Sequence, residues 1–316
     1  MPRIVGLDQI RKILPSVDLL PAIEAGFAAY SEGRAVVPPV AELLFNDPPG
    51  DVHIKYGYLK GDAHYVIKIA SGFYENPKRG LSSSDGLMLL FCQKTGRLLC
   101  LLLDEGHLTN VRTAAAGAVA AKYLAPQKAN RIGIIGAGIQ GKLQLLYLKS
   151  VVSCRKALVW GLHQAELEAY QEEMKTSGFD IQTTLETGEI AAACDLIVTA
   201  TPSKTPLLQA GQIRKGTHIT AVGSDTPEKQ ELDPFILQKA DLIVADSLSQ
   251  CLTRGEIFRA IQEKAIPKEK AVELGAVVTG KVKGRTSDDQ ITVADLTGVA
   301  VQDIQIAKIV YDALRD

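Results

Sequence analysis

The run RIGIIGAGIQGKLQ, residues 131–144, limits what this chain can fold into more than any other stretch. An apolar strand runs straight into Gly136-Ala137-Gly138-Ile139-Gln140-Gly141, and a helical pattern follows. The letters GxGxxG alone are a weak signal, because a glycine-rich turn in a sheet that binds nothing can carry them too. In strand–turn–helix order they have a physical reading. The first glycine permits the tight turn, the second lets a pyrophosphate approach the backbone, and the third lets helix and strand pack closely. The helix N-terminus then presents free N–H groups to the phosphates. We therefore expect a dinucleotide site at this loop.

The pattern around the loop extends the reading. From Arg131 onward strands and helices alternate. ALVW is followed by the helical HQAELEAYQEEMKTSG, and later come DLIVTATP, THITAVGSD and DLIVADS. These strands are apolar through their full width, as expected when helices cover both faces of a parallel sheet. The fold class is α/β: a Rossmann-type doubly wound sheet, joined to a second domain of α+β character. Before about residue 125 helix and hairpin patterns mix, and HLTNVRTAAAGAVAAKYLAP reads as an Ala-rich helix stopped by Pro126. At about 150 residues per domain, 316 residues suggest two domains. We expect residues 123–298 to form the dinucleotide-binding domain. Residues 1–122 should form the other, with 299–316 as an amphipathic helix packed back on it.

The remaining composition excludes several functions. Net charge is −1 with no basic block, so nothing invites nucleic acid or an acidic membrane surface. The opening MPRIVGLDQI lacks the apolar core of a signal peptide, and LLCLLL is far short of a membrane span. The five cysteines show no CxxC spacing and read as reduced residues of a cytoplasmic protein, with no metal site among them.

Residues 52–73, VHIKYGYLKGDAHYVIKIASGF, read as a β-hairpin turning at KGDAH. Lys55 and Lys68 both interrupt its β-rich runs, and burying an ammonium group is expensive unless it is paired. A lysine pointing into a cleft would find its pair in an anionic ligand. His53 and Lys55 lie two apart on one strand face, so together they offer a second cationic locus. The plainer alternative for Lys55 is snorkelling from an edge strand into water.

Asp225, in ITAVGSDTPEKQELD, falls just past the carboxyl end of a strand, where open α/β sheets place ligands. It is either a functional carboxylate or an ordinary loop residue. Arg112 lies on the Ala-rich helix among small neighbours, which suggests close packing. The strand ALVW ends in Gly161-Leu162-His163, with neither an acid for a ribose 2′-hydroxyl nor an arginine for a 2′-phosphate. Arg155 and Lys156 precede that strand and should lie at its opposite end. NAD and NADP both stay open, with NAD favoured because no cation is placed for the phosphate.

Five ordered segments, KIASGFYENP, LTNVRTAAAG, GIIGAGIQG, AVGSDTPEKQELD and GRTSDDQITVADLTGVAVQD, resemble the ornithine cyclodeaminase/mu-crystallin family over nearly the whole chain. The resemblance implies a homodimer whose first domain binds substrate and dimerises. It implies that Lys68 and Arg112 hold a substrate carboxylate and that Asp225 is the acid/base. Ser83, Ser84, Thr113, the loop 136–141, Thr201, Val222 and Gly223 match positions near the cofactor. The family includes cyclodeaminases, alanine dehydrogenases and imine reductases. In one respect the chain departs from it: relatives carry a substrate-gripping arginine where this chain has Val40, with Glu42 the nearest charge and Arg34 upstream. The expected activity is NAD(P)-dependent reduction of a small 2-imino acid or oxidation of a 2-amino acid. A dicarboxylate such as iminosuccinate would suit two cationic loci. Alternatives are an ornithine-type cyclodeaminase with tightly bound NAD and a non-enzymatic ligand-binding protein.

Overall fold

The computed structural model describes residues 1–73 and 75–314. The chain divides into two compact units, Met1–Arg112 with Val299–Asp316, and Thr113–Gly298. The division falls inside the helix His107–Leu124 rather than after it, upstream of the boundary expected at 122.

The first unit is built on a seven-stranded sheet. Its strands are β1 (Arg3–Gly6), β2 (Ala35–Val36), β3 (Ala41–Asn46), β4 (Pro49–Leu59), β5 (His64–Phe73), β6 (Ser84–Cys92) and β7 (Leu98–Leu103). The order is β1-β7-β6-β5-β4-β2, with β3 also paired to β4. The expected hairpin is β4–β5, and the runs flanking the KTG turn are β6 and β7. One sheet face is covered by the helix Ala300–Ala313, which lies against β4, β5 and β6 and against the helix Leu20–Ser31. Gly26 permits that helix–helix contact: a Cβ there would stand 3.0 Å from Gln305 Cγ and 3.3 Å from the Val301 carbonyl oxygen. The closing helix was expected to be amphipathic. Instead every residue from Ala300 to Ala307 is buried, polar Gln302, Asp303 and Gln305 included. In this enclosed half of the helix Arg112 meets two of the polar groups, Asp303 Oδ1 and Gln302 Oε1.

The second unit holds eight parallel strands. They are β8 (Ile132–Ile135), β9 (Lys156–Trp160), β10 (Asp180–Thr184), β11 (Leu196–Thr199), β12 (His218–Ala221), β13 (Leu242–Ala245), β14 (Ala271–Glu273) and β15 (Thr292–Asp295). The order is β10-β9-β8-β11-β12-β15-β13-β14, so the last strand inserts between β12 and β13. All four residues of β8, β11, β12 and β15 are buried, as their apolar runs require. His218 is one of several polar residues these strands bury, with Thr199, Thr220, Thr292 and Asp295. Its ring bridges Thr292 Oγ1 (2.8 Å) and Thr220 Oγ1 (2.9 Å), and burial pushes its pKa down to about 3. A neutral imidazole with both nitrogens paired satisfies the rule for buried polar groups and links β12 to β15. Among the described residues no single helix is long and apolar enough to cross a membrane, and all five cysteines are free thiols.

Candidate active site

The glycine loop follows β8 as its pattern requires. Gly136 takes φ +116°, a conformation closed to most side chains, and a Cβ there would stand 2.7 Å from the Ala200 carbonyl oxygen. A Cβ on Gly141 would lie 1.9 Å from the Gly136 oxygen, so only glycine lets the helix Ile139–Leu148 start this close to the loop. Gly138 is the opposite case. Nothing lies within 4 Å of where its Cβ would be, and it borders an open cleft of ≈ 300 Å³. That is the shape a pyrophosphate passing over bare backbone needs, so the residues present fit a dinucleotide. Thr201 and Ala137 line the same cleft, Ile139 is exposed at the loop rim, and Gln140 accepts a long 3.5 Å contact from Gln144. The Gln144 amide also donates to the Thr113 carbonyl (3.1 Å).

Asp225 stands beyond the end of β12, as expected. Its Oδ1 accepts from Lys229 Nζ at 2.6 Å, a partner that the sequence reading passed over. The Arg254 guanidinium reaches the Asp225 carbonyl at 3.4 Å. The loops around it are tied by a carboxylate that was also missed. Buried Glu231 accepts from Thr199 Oγ1 (2.8 Å), from the Thr201 N–H (2.7 Å) and hydroxyl (2.8 Å), and from the Gly223 N–H (2.9 Å). It thus fastens the loop after β11 to the loop after β12, the one carrying Val222, Gly223 and Asp225. The approach is tight: a Cβ on Gly223 would stand 2.2 Å from the Thr201 carbonyl oxygen. Burial pushes the Glu231 pKa up to about 7 against the pull of those donors. In sequence Glu231 is only an acid between Gln230 and Leu232, and nothing in that pattern distinguishes it from a surface residue.

In the first unit the strand register places Lys55 directly opposite Lys68 across β4 and β5. Both are buried, at 8% and 3% exposure. β2 and β3 pair with β4 on either side of Lys55 but not at it, so it sits at a local gap in the pairing, and at 8% exposure it does not snorkel into water. Two like charges facing each other are unfavourable in a sheet, and burial sharpens the cost. Asp104, at the end of β7, is the nearby acid the sequence reading overlooked. It accepts from the Leu108 N–H (2.8 Å), burial pushes its pKa up to about 6, and the Lys68 ammonium partly opposes that rise. Arg112 is 4% exposed and donates Nε to Asp303 Oδ1 (2.9 Å) and Nη1 to Gln302 Oε1 (2.6 Å), so the closing helix orients it.

The structure sets carboxylates against His53. Its Nδ1 faces Glu42 at 3.4 Å and its Nε2 faces Asp51 at 3.3 Å, so two carboxylates flank the ring. Arg34 does not replace the missing arginine either. It is exposed and folds onto Glu32 (Nη2 to Oε2, 2.6 Å). Ser84 opens β6 opposite Gly72, and Ser83 precedes it, its carbonyl accepting from the Phe73 N–H at 2.8 Å.

A curated relative from Sinorhizobium fredii, described as an uncharacterized cyclodeaminase, is 42% identical over 99% of this chain and 96% of its own. An archaeal alanine dehydrogenase, solved as a dimer with bound NAD, superposes with a TM-score of 0.91 at 33% identity, covering 99% of this chain and 96% of that one. The iminosuccinate reductase of Paracoccus denitrificans, solved with NAD+, gives 0.88 at 32% identity, with coverage of 99% and 96%. Residues 5–316 match the ornithine cyclodeaminase/mu-crystallin family, and the chain belongs to that family.

Proposed function

We propose that this chain is an NAD-dependent oxidoreductase acting on the carbon–nitrogen bond of a small 2-imino or 2-amino acid, with an iminodicarboxylate such as iminosuccinate as its substrate. The observation that carries the reading is the pair Lys55–Lys68, two buried ammonium groups opposed in one cross-strand row. An anionic substrate with two acid groups complements two buried ammonium groups, whereas ornithine would add a third ammonium. NAD is supported by the fit of the glycine loop and by the NAD-bound relatives. A homodimer is supported by the dimeric alanine dehydrogenase.

When bound, the nicotinamide supplies or takes up the hydride at the carbon bearing nitrogen. The chain does the rest. Lys68 and Arg112 orient the 2-carboxylate, and Asp303 and Gln302 hold the guanidinium so that little freedom is lost on binding. Lys55 takes the distal acid group, a role proposed for it without His53. Asp225 moves the proton at the substrate nitrogen, giving it up when an imine is reduced and taking it back when an amine is oxidised, and Lys229 at 2.6 Å orients its carboxyl group. Ser83, Ser84, Thr113, Thr201 and Val222 are proposed to contact the cofactor.

The cyclodeaminase reading has one specific support, the description of the 42% identical relative. One assay separates the two. NADH oxidation with oxaloacetate plus ammonia is expected to exceed that with pyruvate plus ammonia, and ornithine with NAD+ should release no ammonia. Ornithine turnover without oxaloacetate-dependent NADH oxidation would replace this reading with the cyclodeaminase one.

A further inference from the structure

The strand that should end in a ribose-binding acid does not. β9 is the second strand of the nucleotide-binding pattern, and it ends at Trp160 before Gly161-Leu162-His163. In sheets of this kind the adenosine ribose sits at that strand end, and an acid there holds its hydroxyls. The structure supplies an acid from another position. Glu166 lies in the first turn of the helix Gln164–Glu173, where the helix dipole favours a carboxylate. Its backbone N–H donates to the His163 carbonyl at 3.1 Å.

The side chain folds back over the strand end. A Cβ built on Gly161 would meet Glu166 Oε2 at 3.2 Å, Leu167 Cδ2 at 3.0 Å and Ala137 Cβ at 3.3 Å. Glycine at 161 therefore leaves the room that the Glu166 carboxylate uses. Glu166 lines the same ≈ 300 Å³ cleft as Gly136 and Gly138. Among the described residues lining that cleft it alone carries a charge. Arg155, a cation near this strand in sequence, is engaged at the other end, donating to the carbonyls of Val152 (2.7 Å), Cys154 (2.8 Å) and Lys149 (3.0 Å).

We propose that Glu166 is the ribose anchor of this chain and its determinant of NAD over NADP. Two carboxylate oxygens accept from the vicinal 2′- and 3′-hydroxyls of NAD. A 2′-phosphate in the same place meets a like charge, with no lysine or arginine among the described residues lining the cleft to offset it. The inference rests on the reading that the cleft binds a nicotinamide dinucleotide, and the test keeps the two apart.

Calorimetric titration of the full chain with NAD+ and with NADP+ gives the readout, independent of turnover. Glu166 is exposed, so its variants keep the fold, which circular dichroism verifies. Wild type should bind NAD+ at least about tenfold more tightly than NADP+. Glu166→Ala should weaken NAD+ by about ten- to a hundredfold, the loss expected for charged hydrogen bonds. Glu166→Gln should narrow the NAD+/NADP+ gap, chiefly by tightening NADP+. Wild type that binds neither dinucleotide sinks the cofactor reading and this inference together. Wild type that binds NAD+, with both variants unchanged within twofold for either dinucleotide, overturns the role of Glu166 alone. Wild-type preference for NADP+ also overturns it.

Discussion

The two sheets spend their buried positions differently. In the second unit the central strands β8, β11, β12 and β15 are buried at every residue, and their polar members, such as His218 and Thr292, pair with one another. This unit's proposed functional residues, Gly138, Thr201 and Asp225, stand in the loops at the strand ends. In the first unit the proposed substrate residues lie in the strands themselves, because Lys55 and Lys68 occupy core positions of β4 and β5. A sheet whose core is apolar or self-paired is scaffold, and its loops do the chemistry. A sheet that buries opposed like charges has given up stability for something else.

The sharpest way to break this contrast is at Asp225. If the loops of the second unit carry the chemistry, Asp225→Asn should lower turnover by roughly 10²–10⁴-fold while NAD+ affinity stays as in wild type. Steady-state rates alongside a binding titration check both halves. A variant within a few-fold of wild type removes Asp225 from the mechanism.

A smaller effect separates the scaffold's own charge. Burial lifts Glu231 from 4.5 to about 7 and Asp104 from 3.8 to about 6. Between the unfolded and folded pKa values the native chain holds more protons than the unfolded one, so stability is greatest below that window and falls as pH rises through it. Glu231 alone should cost roughly 3 kcal/mol by pH 8. Urea unfolding between pH 5 and pH 8 should therefore show declining stability, with a shallower slope in Glu231→Gln. A slope unchanged by that substitution would contradict a buried, proton-holding Glu231.

The same contrast explains what could be read from the letters. The strand–GxGxxG–helix unit was legible because each glycine answers a local steric demand: Gly136 at positive φ, Gly141 against the Gly136 oxygen. The β4–β5 hairpin was legible because its turn and β-rich runs are local. Three other features were not. β15 inserts between β12 and β13, a choice made by long-range pairing. The closing helix has helical spacing but is enclosed on all sides over its first two turns, and no periodicity reveals how many neighbours surround those residues. Lys229, Glu231, Asp104 and Glu166 look like surface charges in sequence. Their meaning comes from what the fold sets beside them: Asp225, the Thr201 and Gly223 amides, Lys68, and the strand end at Gly161. The Glu42 carboxylate beside His53 was hidden for the same reason, since it reaches the ring only through β3–β4 pairing.

The smallest effect is the most telling. The account's central claim is that Lys55 and Lys68 read two acid groups of one substrate. The measurement is kcat/KM for NADH oxidation with oxaloacetate plus ammonia and with pyruvate plus ammonia, in wild type, Lys68→Met and Lys55→Met. Losing a charged hydrogen bond to a carboxylate costs roughly 1.5–3 kcal/mol, or about one to two decades. Lys68→Met should lower both substrates by that amount. Lys55→Met should lower oxaloacetate by that amount and leave pyruvate nearly unchanged, erasing the preference between them. If Lys55→Met leaves the ranking of the two substrates as in wild type, the distal-acid role of Lys55 is wrong and the dicarboxylate assignment goes with it.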